Sequence, residues 1–400
     1  MPAKFELIAP CFFGCESTAK FELTRIGAEN IRVEDGRLSF AGGADMIAAA
    51  NLNLRTVERV MLLLARYRAA TFDDLFDGVY DIPWEELLPA DAAFPVTGSS
   101  LNSQLSSVPA CQSIKKAVVK RLMAKHHTSV LPETGVEYKI RFMLRKDQCE
   151  IMLDTTGDGL HKRGYRRNAM EAPIRETLAA TIADLGRVRR DSLVEDPFCG
   201  SGTLLIEAAQ KAMNIAPGLK RRFAAERYGF VPTAIWAEQR QKALAEAKLD
   251  VGFEAFGYDI DPAAVALANA NAKLAGVEKR CHFEVADVAD FAAKQEAIVL
   301  TNPPYGERMS TIEGAAKLAR TLGRQMEAHP CAGVYAITAD MDFETHYGKR
   351  ANKRRKMYNG MIPCQLYMYY NAPKFEHTAK PMPKSGFDGK RTTPNRFDKK

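Results

Sequence analysis

The sequence of 400 residues contains no apolar run long enough for a membrane span, and its eight cysteines are scattered. A membrane-spanning helix needs roughly 20 consecutive apolar residues. The first ten residues include Lys4 and Glu6 and have no long apolar core, so we expect no secretory signal. Only Cys11 and Cys15 lie close together, and no second pair completes a zinc site. These absences indicate a cytoplasmic protein with reduced cysteines and no metal.

The composition is that of a soluble globular protein whose positive charge is unevenly placed. Apolar residues make up 46% and charged residues 26%, and the length allows two or three domains. From Lys374 to the end there are eight basic and three acidic residues, which accounts for +5 of the net charge of +7. A second basic cluster spans residues 349–356. Such clusters suit a polyanion such as nucleic acid, although a solvated tail and loop would have the same composition.

Two α+β regions are predicted before residue 156. Residues 1–56 read as a small α/β unit, and residues 57–155 as a second region with a helix over 111–127 and a final hairpin. That helix has one apolar face, while the rest of its surface is basic. Its candidate phosphate-binding cations are Lys115, Lys116, Lys120 and Arg121. Residues 156–171 form a basic connector with three more candidates. These are Lys162, Arg163 and Arg166.

The pattern changes at residue 172 to alternating helices and strands. This alternation predicts an open, mostly parallel sheet covered on both faces, over residues 172–372. Near its end, Asn359-Gly360 separates two strand-like runs and predicts an antiparallel hairpin. Residues 373–400 are rich in Pro, Gly, Lys and Thr, and we predict that they form a disordered basic tail.

A glycine-rich turn, Asp-Pro-Phe-Cys-Gly-Ser-Gly-Thr at residues 196–203, follows a predicted strand and opens a helix. Gly200 and Gly202 let the backbone approach a ligand closely. A dinucleotide fingerprint needs a third glycine where Leu205 stands. Asp196 would also repel a diphosphate, whereas it suits a ligand that carries an ammonium and a sulfonium. These features disfavour a nicotinamide-dependent oxidoreductase.

Carboxylates also follow the next two predicted strands. Asp259, in Gly-Tyr-Asp-Ile-Asp, is placed to accept both ribose hydroxyls of an adenosine. Asp261 is expected to cap the following helix, with Pro262 at its first position. Asp287 follows the third strand and could accept the adenine amino group, although a helix cap is the commoner role for such a residue.

The most specific motif is Asn-Pro-Pro-Tyr-Gly-Glu-Arg at residues 302–308. The two prolines hold an extended backbone, so the carbonyl of Pro303 has no helical partner. The amide oxygen of Asn302 and this carbonyl can accept hydrogen bonds from an amine, and Tyr305 offers a flat face. An exocyclic base amine is a poor nucleophile. Two acceptors on its hydrogens would favour the attacking geometry and stabilise the developing positive charge.

Together these motifs resemble the THUMP-domain RNA methyltransferases, which are class I, Rossmann-like enzymes that make N2-methylguanosine in bacterial 23S rRNA or in tRNA. The resemblance extends to Leu-His-Lys-Arg-Gly-Tyr-Arg at residues 160–166 and to residues 172–178, the element that closes over the methionine end of the cofactor. It covers nearly the whole chain except the tail, and is less specific at residues 107–117. It implies a ferredoxin-like unit and a THUMP domain before a methyltransferase domain.

The resemblance also implies S-adenosylmethionine as cofactor, RNA as partner and the roles of the motif residues. The implied cofactor-binding residues are Asp196, Phe198, Gly200, Gly202, Thr203, Asp259, Ile260, Asp287 and Thr177, and the implied catalytic residues are Asn302, Pro303 and Tyr305. Methylation of adenine N6 in DNA or RNA stays open, because the chemistry of the motif suits both amines. A non-catalytic RNA-binding or ribosome-assembly factor would be expected to have lost the cofactor-binding motif or the amine-binding motif. Both motifs are intact in this sequence.

Overall fold

The computed structural model of the protein describes residues 4–166, 174–305 and 312–370. The predicted tail, residues 373–400, lies outside these residues. So do the last part of the connector, 167–171, and residues 306–308 of the Asn-Pro-Pro-Tyr motif.

The N-terminal part of the chain forms a seven-stranded sheet. Its strands are β1 (Phe5–Pro10), β2 (Glu29–Glu34), β3 (Arg37–Gly42), β4 (Met61–Arg68), β5 (Val96–Leu101), β6 (Ile140–Arg145) and β7 (Gln148–Asp154). Its helices are α1 (Glu16–Arg25), α2 (Ala44–Asn53), α3 (Phe72–Tyr80), α4 (Trp84–Leu87) and α5 (Ser107–His126). The strand order is β2-β3-β1-β4-β7-β6-β5. Because β1 pairs with β4, hydrogen bonds join the sheet across the boundary predicted between residues 56 and 57.

Two features of this sheet differ from the sequence expectation. Strand β2 was not expected, since its side chains are mostly exposed and show no apolar alternation. Helix α5 begins at Ser107 rather than at 111. Pro109 falls in its first turn, where a missing N–H and the fixed φ of proline are tolerated.

The remaining elements form a second seven-stranded sheet with flanking helices. The strands are β8 (Leu193–Asp196), β9 (Glu254–Asp259), β10 (Cys281–Val285), β11 (Ile298–Thr301), β12 (Gly333–Thr338), β13 (Lys353–Asn359) and β14 (Ile362–Tyr370). The helices are α6 (Glu176–Leu185), α7 (Thr203–Ala212), α8 (Thr233–Glu246), α9 (Pro262–Ala275), α10 (Ile312–Ala328) and α11 (Phe343–Tyr347). The order is β10-β9-β8-β11-β12-β14-β13, with five parallel strands and an antiparallel hairpin at the end. The predicted fold class is confirmed.

The two halves share a hydrophobic core. The segment between α7 and β9 crosses to the N-terminal sheet, where Phe223, Tyr228 and Trp236 are buried in the same cluster as the N-terminal core. The rings of Tyr138 and Tyr228 stack with centroids 4.3 Å apart. Aromatic burial of this kind dominates the energetics of such contacts, so we infer that the segment fastens the N-terminal sheet to the second half.

No helix within 4–166, 174–305 and 312–370 is both long and apolar enough to cross a membrane. All eight cysteines of the chain are described, and all are free thiols.

Candidate active site

The candidate site lies where four neighbouring parallel strands end. Asp196 is the last residue of β8 and Asp259 is the last residue of β9, while Asp287 follows β10 and Asn302 follows β11. The chain leaves β8 towards β9 on one side and places β11 on the other. Ligands of open α/β sheets bind at such a reversal of strand order, outside the carboxyl ends of the strands.

A cavity of about 710 Å³ opens at this edge of the sheet. Its volume is within the range of sites for small molecules and cofactors. The residues around it include members of both predicted motifs and all three carboxylates at the strand ends, Asp196, Asp259 and Asp287. Its lining is Ile174, Asp196, Pro197, Phe198, Cys199, Gly200, Ser201, Thr203, Leu204, Asp259, Ile260, Ala286, Asp287, Val288, Asn302, Pro304 and Leu318.

Asp196 is a buried carboxylate that faces this cavity with only 1% of its surface exposed. Its Oδ1 accepts a hydrogen bond from the backbone N–H of Phe198 at 3.0 Å. Burial raises the pKa of Asp196 to about 7, and the neighbouring charge of Asp259 adds to the effect. A buried carboxylate with no cation beside it is costly. A cationic ligand in the cavity would therefore bind to, and stabilise, the ionised form.

Asp259 is held in place by two backbone amides. Its Oδ2 accepts from the N–H of Gly200 at 2.9 Å, and its Oδ1 accepts from the N–H of Asp261 at 3.0 Å. A carboxylate has further acceptor sites after two such bonds, so hydroxyls in the cavity could still donate to it. Asp261 caps α9 through the N–H of Ala263, with Pro262 at the first helical position, which confirms the expected cap.

The glycine-rich turn is fixed by close packing. Gly202 has φ +78° and precedes α7, and a Cβ there would lie 2.8 Å from the Phe283 ring. Another residue would therefore be strained by both the backbone and the contact. Next to it, the hydroxyl of Thr203 lies 3.1 Å from that of Ser201 at the cavity wall.

The other predicted cofactor residues reach the cavity from the ends of β8, β9 and β10. Phe198 lines it and packs on the core cluster beneath β12. Ile260 also lines it and is 68% exposed, so its apolar side chain is available to pack against a ligand in the cavity. Asp287 lines the cavity and accepts from the N–H of Ala289, so it also caps a short 3₁₀ turn.

The Asn-Pro-Pro-Tyr segment meets the same cavity. Asn302 and Pro304 line it, while Pro303 is buried between them. The ring of Tyr305 packs on the hydrophobic core of the second sheet, and its hydroxyl lies 3.8 Å from the Sγ of Cys364 on β14. Asn302 therefore lies at the same opening as most of the predicted cofactor residues, whereas the lining includes neither Pro303 nor Tyr305.

Thr177 is a correction to the sequence prediction. It is fully buried on α6, and its hydroxyl donates a 2.5 Å hydrogen bond to Oε1 of Glu58. Among the described residues of this segment, Ile174 lines the cavity and Thr177 does not. The element predicted to close over the cofactor therefore faces the cavity through Ile174, while Thr177 links the N-terminal half to α6.

Folding pairs half of the predicted RNA-binding cations of α5. The Nζ of Lys115 lies 2.5 Å from Glu133, and a guanidinium nitrogen of Arg121 lies 2.6 Å from Glu85. The two exposed candidates of α5, which form no ion pair with another described residue, are Lys116 and Lys120. In the connector, Lys162 is exposed and lies 3.0 Å from Asp158.

The structure argues most clearly against the prediction that Arg163 contacts RNA, because only 2% of this residue is exposed. Its guanidinium lies 3.4 Å from Glu207 and donates to the carbonyl oxygen of Leu160 at 2.7 Å. It cannot reach a phosphate in this conformation, and its role is structural.

Arg166 is likewise turned inward. Its guanidinium lies 3.5 Å from Glu176 and donates to the hydroxyl of Thr203 and to the carbonyl of Ile174, both of which line the cavity. The structure therefore argues against the prediction that Arg166 contacts RNA. A role in shaping the cavity wall fits its contacts better.

Sequence reasoning missed Leu318, which reaches the cavity from α10. No local pattern identifies it, since α10 follows the site in the chain and only its packing against the sheet brings one residue to the opening. Within the described part of the chain, no group of three or more His, Cys, Asp or Glu residues could hold a metal ion.

Comparison with known proteins agrees with this site. Residues 163–368 match the family described as the RMKL-like methyltransferase domain. The chain belongs to this family. Its residues 6–61 match the RlmL ferredoxin-like domain and residues 69–154 the THUMP domain.

Two curated relatives show how far the similarity extends. YpsC of Bacillus subtilis strain 168, named provisionally as an RNA methyltransferase, is 39% identical over 92% of this chain and 96% of its own. The ribosomal RNA large subunit methyltransferase K/L of Syntrophotalea carbinolica is 33% identical over 91% of this chain, which spans only 53% of that protein.

A solved structure of similar fold bears on the cofactor. SMU.472, crystallised with S-adenosylhomocysteine, has a TM-score of 0.85 and 39% identity, and the match covers 93% of this chain and 99% of that one. This RMKL-like protein is an S-adenosylmethionine-dependent methyltransferase. The residues present fit the cofactor, because a buried carboxylate without a cation, a second carboxylate and an exposed isoleucine line one cavity.

Proposed function

We propose that the protein methylates the exocyclic N2 amine of a guanine in RNA, with 23S rRNA as its target. One observation supports an amine as the methylated group: Asn302 and Pro304 line the same cavity as Asp196 and Asp259. The THUMP match and the names of the RNA-modifying relatives support RNA. Guanine and 23S rRNA follow from the family resemblance. Such a target would place the protein in the cytoplasm.

The residues that face the cofactor are proposed to bind S-adenosylmethionine and to orient it. Asp196 would face the positively charged end of the cofactor, and Asp259 would accept from its ribose hydroxyls. Asp287 and Ile260 would contact the adenine, with Phe198, Gly200 and Thr203 forming the wall and Gly202 fixing the turn behind it. When bound, S-adenosylmethionine supplies an electrophilic methyl group on a sulfonium.

The residues that face the amine are proposed to position it and to stabilise the charge that develops on its nitrogen. The side-chain oxygen of Asn302 and the carbonyl of Pro303 would accept hydrogen bonds from the amine, which orients its lone pair. These bonds strengthen as positive charge develops on nitrogen, so they stabilise the transition state more than the ground state. Tyr305 would stack on the base. The base must leave its helical stack to enter so confined a cavity.

Nucleoside analysis tests this proposal. We expect N2-methylguanosine to disappear from 23S rRNA when the gene is deleted. The unaltered protein should restore it, and the Asn302→Ala variant should not. If N6-methyladenosine disappears instead, guanine is wrong and the amine mechanism stands. A missing methyl on a ring carbon or ribose oxygen would overturn both, and a change confined to tRNA would overturn the rRNA target. Loss of no methylated nucleoside would favour a non-catalytic role.

A further inference from the structure

A second cavity, of about 660 Å³, lies between α10 and α11, outside the proposed active site. Its wall is strongly basic. Four of its lining side chains carry positive charge and one carries negative charge. The cations are Lys317, Arg320, Arg324 and Lys349, and the anion is Glu327. We call this cavity the α10–α11 groove.

Three of the cations follow from the geometry of α10. Lys317, Arg320 and Arg324 are spaced three and four residues apart, so they share one face of the helix. All three are exposed. The opposite face carries Ala319, Leu322 and Met326, which are buried against the sheet; the apolar and basic stripes therefore fix the orientation of the helix.

A close contact between α10 and α11 fixes the position of the two helices that form the groove. A Cβ at Gly323 would clash with the backbone carbonyl oxygen of Tyr347, so only glycine allows α11 to approach α10 at this point. Lys349, from the basic cluster that follows α11, then completes the wall.

These cations form no ion pair with an acidic side chain among the described residues. Arg324 contacts only the hydroxyl of Thr321, at 3.4 Å, among the hydrogen bonds of the described residues. Across residues 4–166, 174–305 and 312–370, the ion pairs include none from Lys317, Arg320, Arg324 or Lys349. Exposed cations that the fold leaves unpaired are available to an external polyanion.

The groove adjoins the active-site cavity. Leu318 lines the active-site cavity and its neighbour Lys317 lines the groove. Consecutive residues of a helix project about 100° apart, so α10 forms a wall shared by the two. A nucleic acid strand whose base entered the active site would have its flanking backbone close to this helix.

We propose that the α10–α11 groove binds phosphates of the RNA backbone that flank the target nucleotide. The inference rests on the proposed RNA substrate. Two aromatic rings also line the groove, but Tyr347 is buried against Phe343 and Tyr369, and His346 lies 2.8 Å from Asp340. The exposed groups of the groove are therefore mainly point charges, which suit contact with phosphate rather than reading of sequence. It would hold the strand while the base occupies the cavity.

The test compares two full-length double variants that each remove two charges. Lys317→Gln/Arg320→Gln changes the groove, and Lys242→Gln/Lys248→Gln changes exposed lysines of α8 and its C-terminal end. Binding to deproteinised 23S rRNA from a deletion strain is measured over a range of salt concentrations. We expect the groove variant to lower the salt slope by about two. Its KM for RNA should rise with cofactor affinity and kcat unchanged, while the control variant behaves like the unaltered protein.

The outcomes separate the groove from the function. If the unaltered protein methylates rRNA but the groove variant keeps its slope and KM, the groove does not bind RNA and the proposed function stands. An equal loss in the α8 control would mean that only net charge matters, which also overturns the groove. If the unaltered protein neither binds nor methylates RNA, both proposals fail.

Discussion

The ion pairs of the N-terminal half differ from the charges of the active site and the α10–α11 groove in how completely the described fold satisfies them. In the N-terminal half, the Arg121 guanidinium lies against Glu85 and lowers the pKa of that carboxyl to about 2. In the methyltransferase half, Asp196 is buried with no cation among its described hydrogen-bond and ion-pair partners, and the groove cations form no ion pair with a described carboxylate.

This difference separates charges that maintain the fold from charges that await a ligand. A group paired inside the protein gains little from a new partner, whereas an unpaired one gains the full interaction. We therefore expect substitutions at paired sites to change stability and leave catalysis intact. Substitutions at unpaired sites should do the reverse.

The largest effect is expected from breaking the buried pair of Arg163 and Glu207. Arg163→Met leaves Glu207 buried without its cation, which typically costs about 3–5 kcal/mol in the free energy of unfolding. Urea denaturation measures this loss in the free energy of unfolding. The control is Lys162→Met, which changes the exposed neighbouring residue. An unchanged stability together with weakened RNA binding would restore the original prediction for Arg163.

Asn302→Ala should produce the next largest change, in rate rather than stability. Removal of one preorganised acceptor typically lowers kcat by about 10²–10³. The free energy of unfolding and the cofactor Kd should stay near those of the unaltered protein. Single-turnover kinetics and calorimetry make the comparison. Tyr305→Phe, which keeps the ring, serves as a milder companion. A weaker cofactor affinity with an unchanged kcat would show that Asn302 contacts the cofactor rather than the amine.

The raised pKa of Asp196 predicts pH-dependent cofactor binding. Below its pKa of about 7 the side chain is neutral and cannot attract a cation. Affinity should therefore rise by up to about tenfold per pH unit as the pH approaches 7, and then level off. Without ligand the sign is opposite: the folded state holds this proton more tightly than the unfolded state, so stability falls as the pH rises from about 4 to 7.

Asp196→Asn provides the control for both effects. Calorimetry at several pH values should show a weaker affinity whose pH dependence is only that of the cofactor's own groups. The ratio of the two proteins' affinities cancels that shared titration. A constant ratio across pH 5.5–7.5 would show that Asp196 does not titrate or does not face the charge.

The local parts of the site could be predicted from the sequence. The glycine-rich turn, Asp259 and Asn302 each lie directly after a strand, so the parallel topology alone brings them to one edge. Leu318 could not be found, because its position depends on how α10 packs against the sheet. Thr177 was implied by the family resemblance of residues 172–178, and only the tertiary fold shows that its hydroxyl donates to Glu58.

The charge prediction was limited for a related reason. Lys115 and Arg121 stand out as basic in the sequence, but their partners lie 18 and 36 residues away. Ion pairs over such separations depend on the tertiary fold. The cations of α10 form no ion pair with a described residue, although they are no more prominent in the sequence.

The smallest effect is expected within α5, where one helix offers both kinds of cation. Lys116→Gln/Lys120→Gln removes two exposed charges that have no ion pair with a described residue, and should lower the salt slope of RNA binding by about two if both contact phosphate. Lys115→Gln/Arg121→Gln removes the same formal charge but frees Glu133 and Glu85, so its slope should change less. Filter binding of both variants to the same rRNA measures the difference. Equal slopes would show that surface ion pairs exchange readily for phosphate contacts, because such pairs are held weakly. In that case the distinction between paired and unpaired charge would apply only to buried groups such as Arg163.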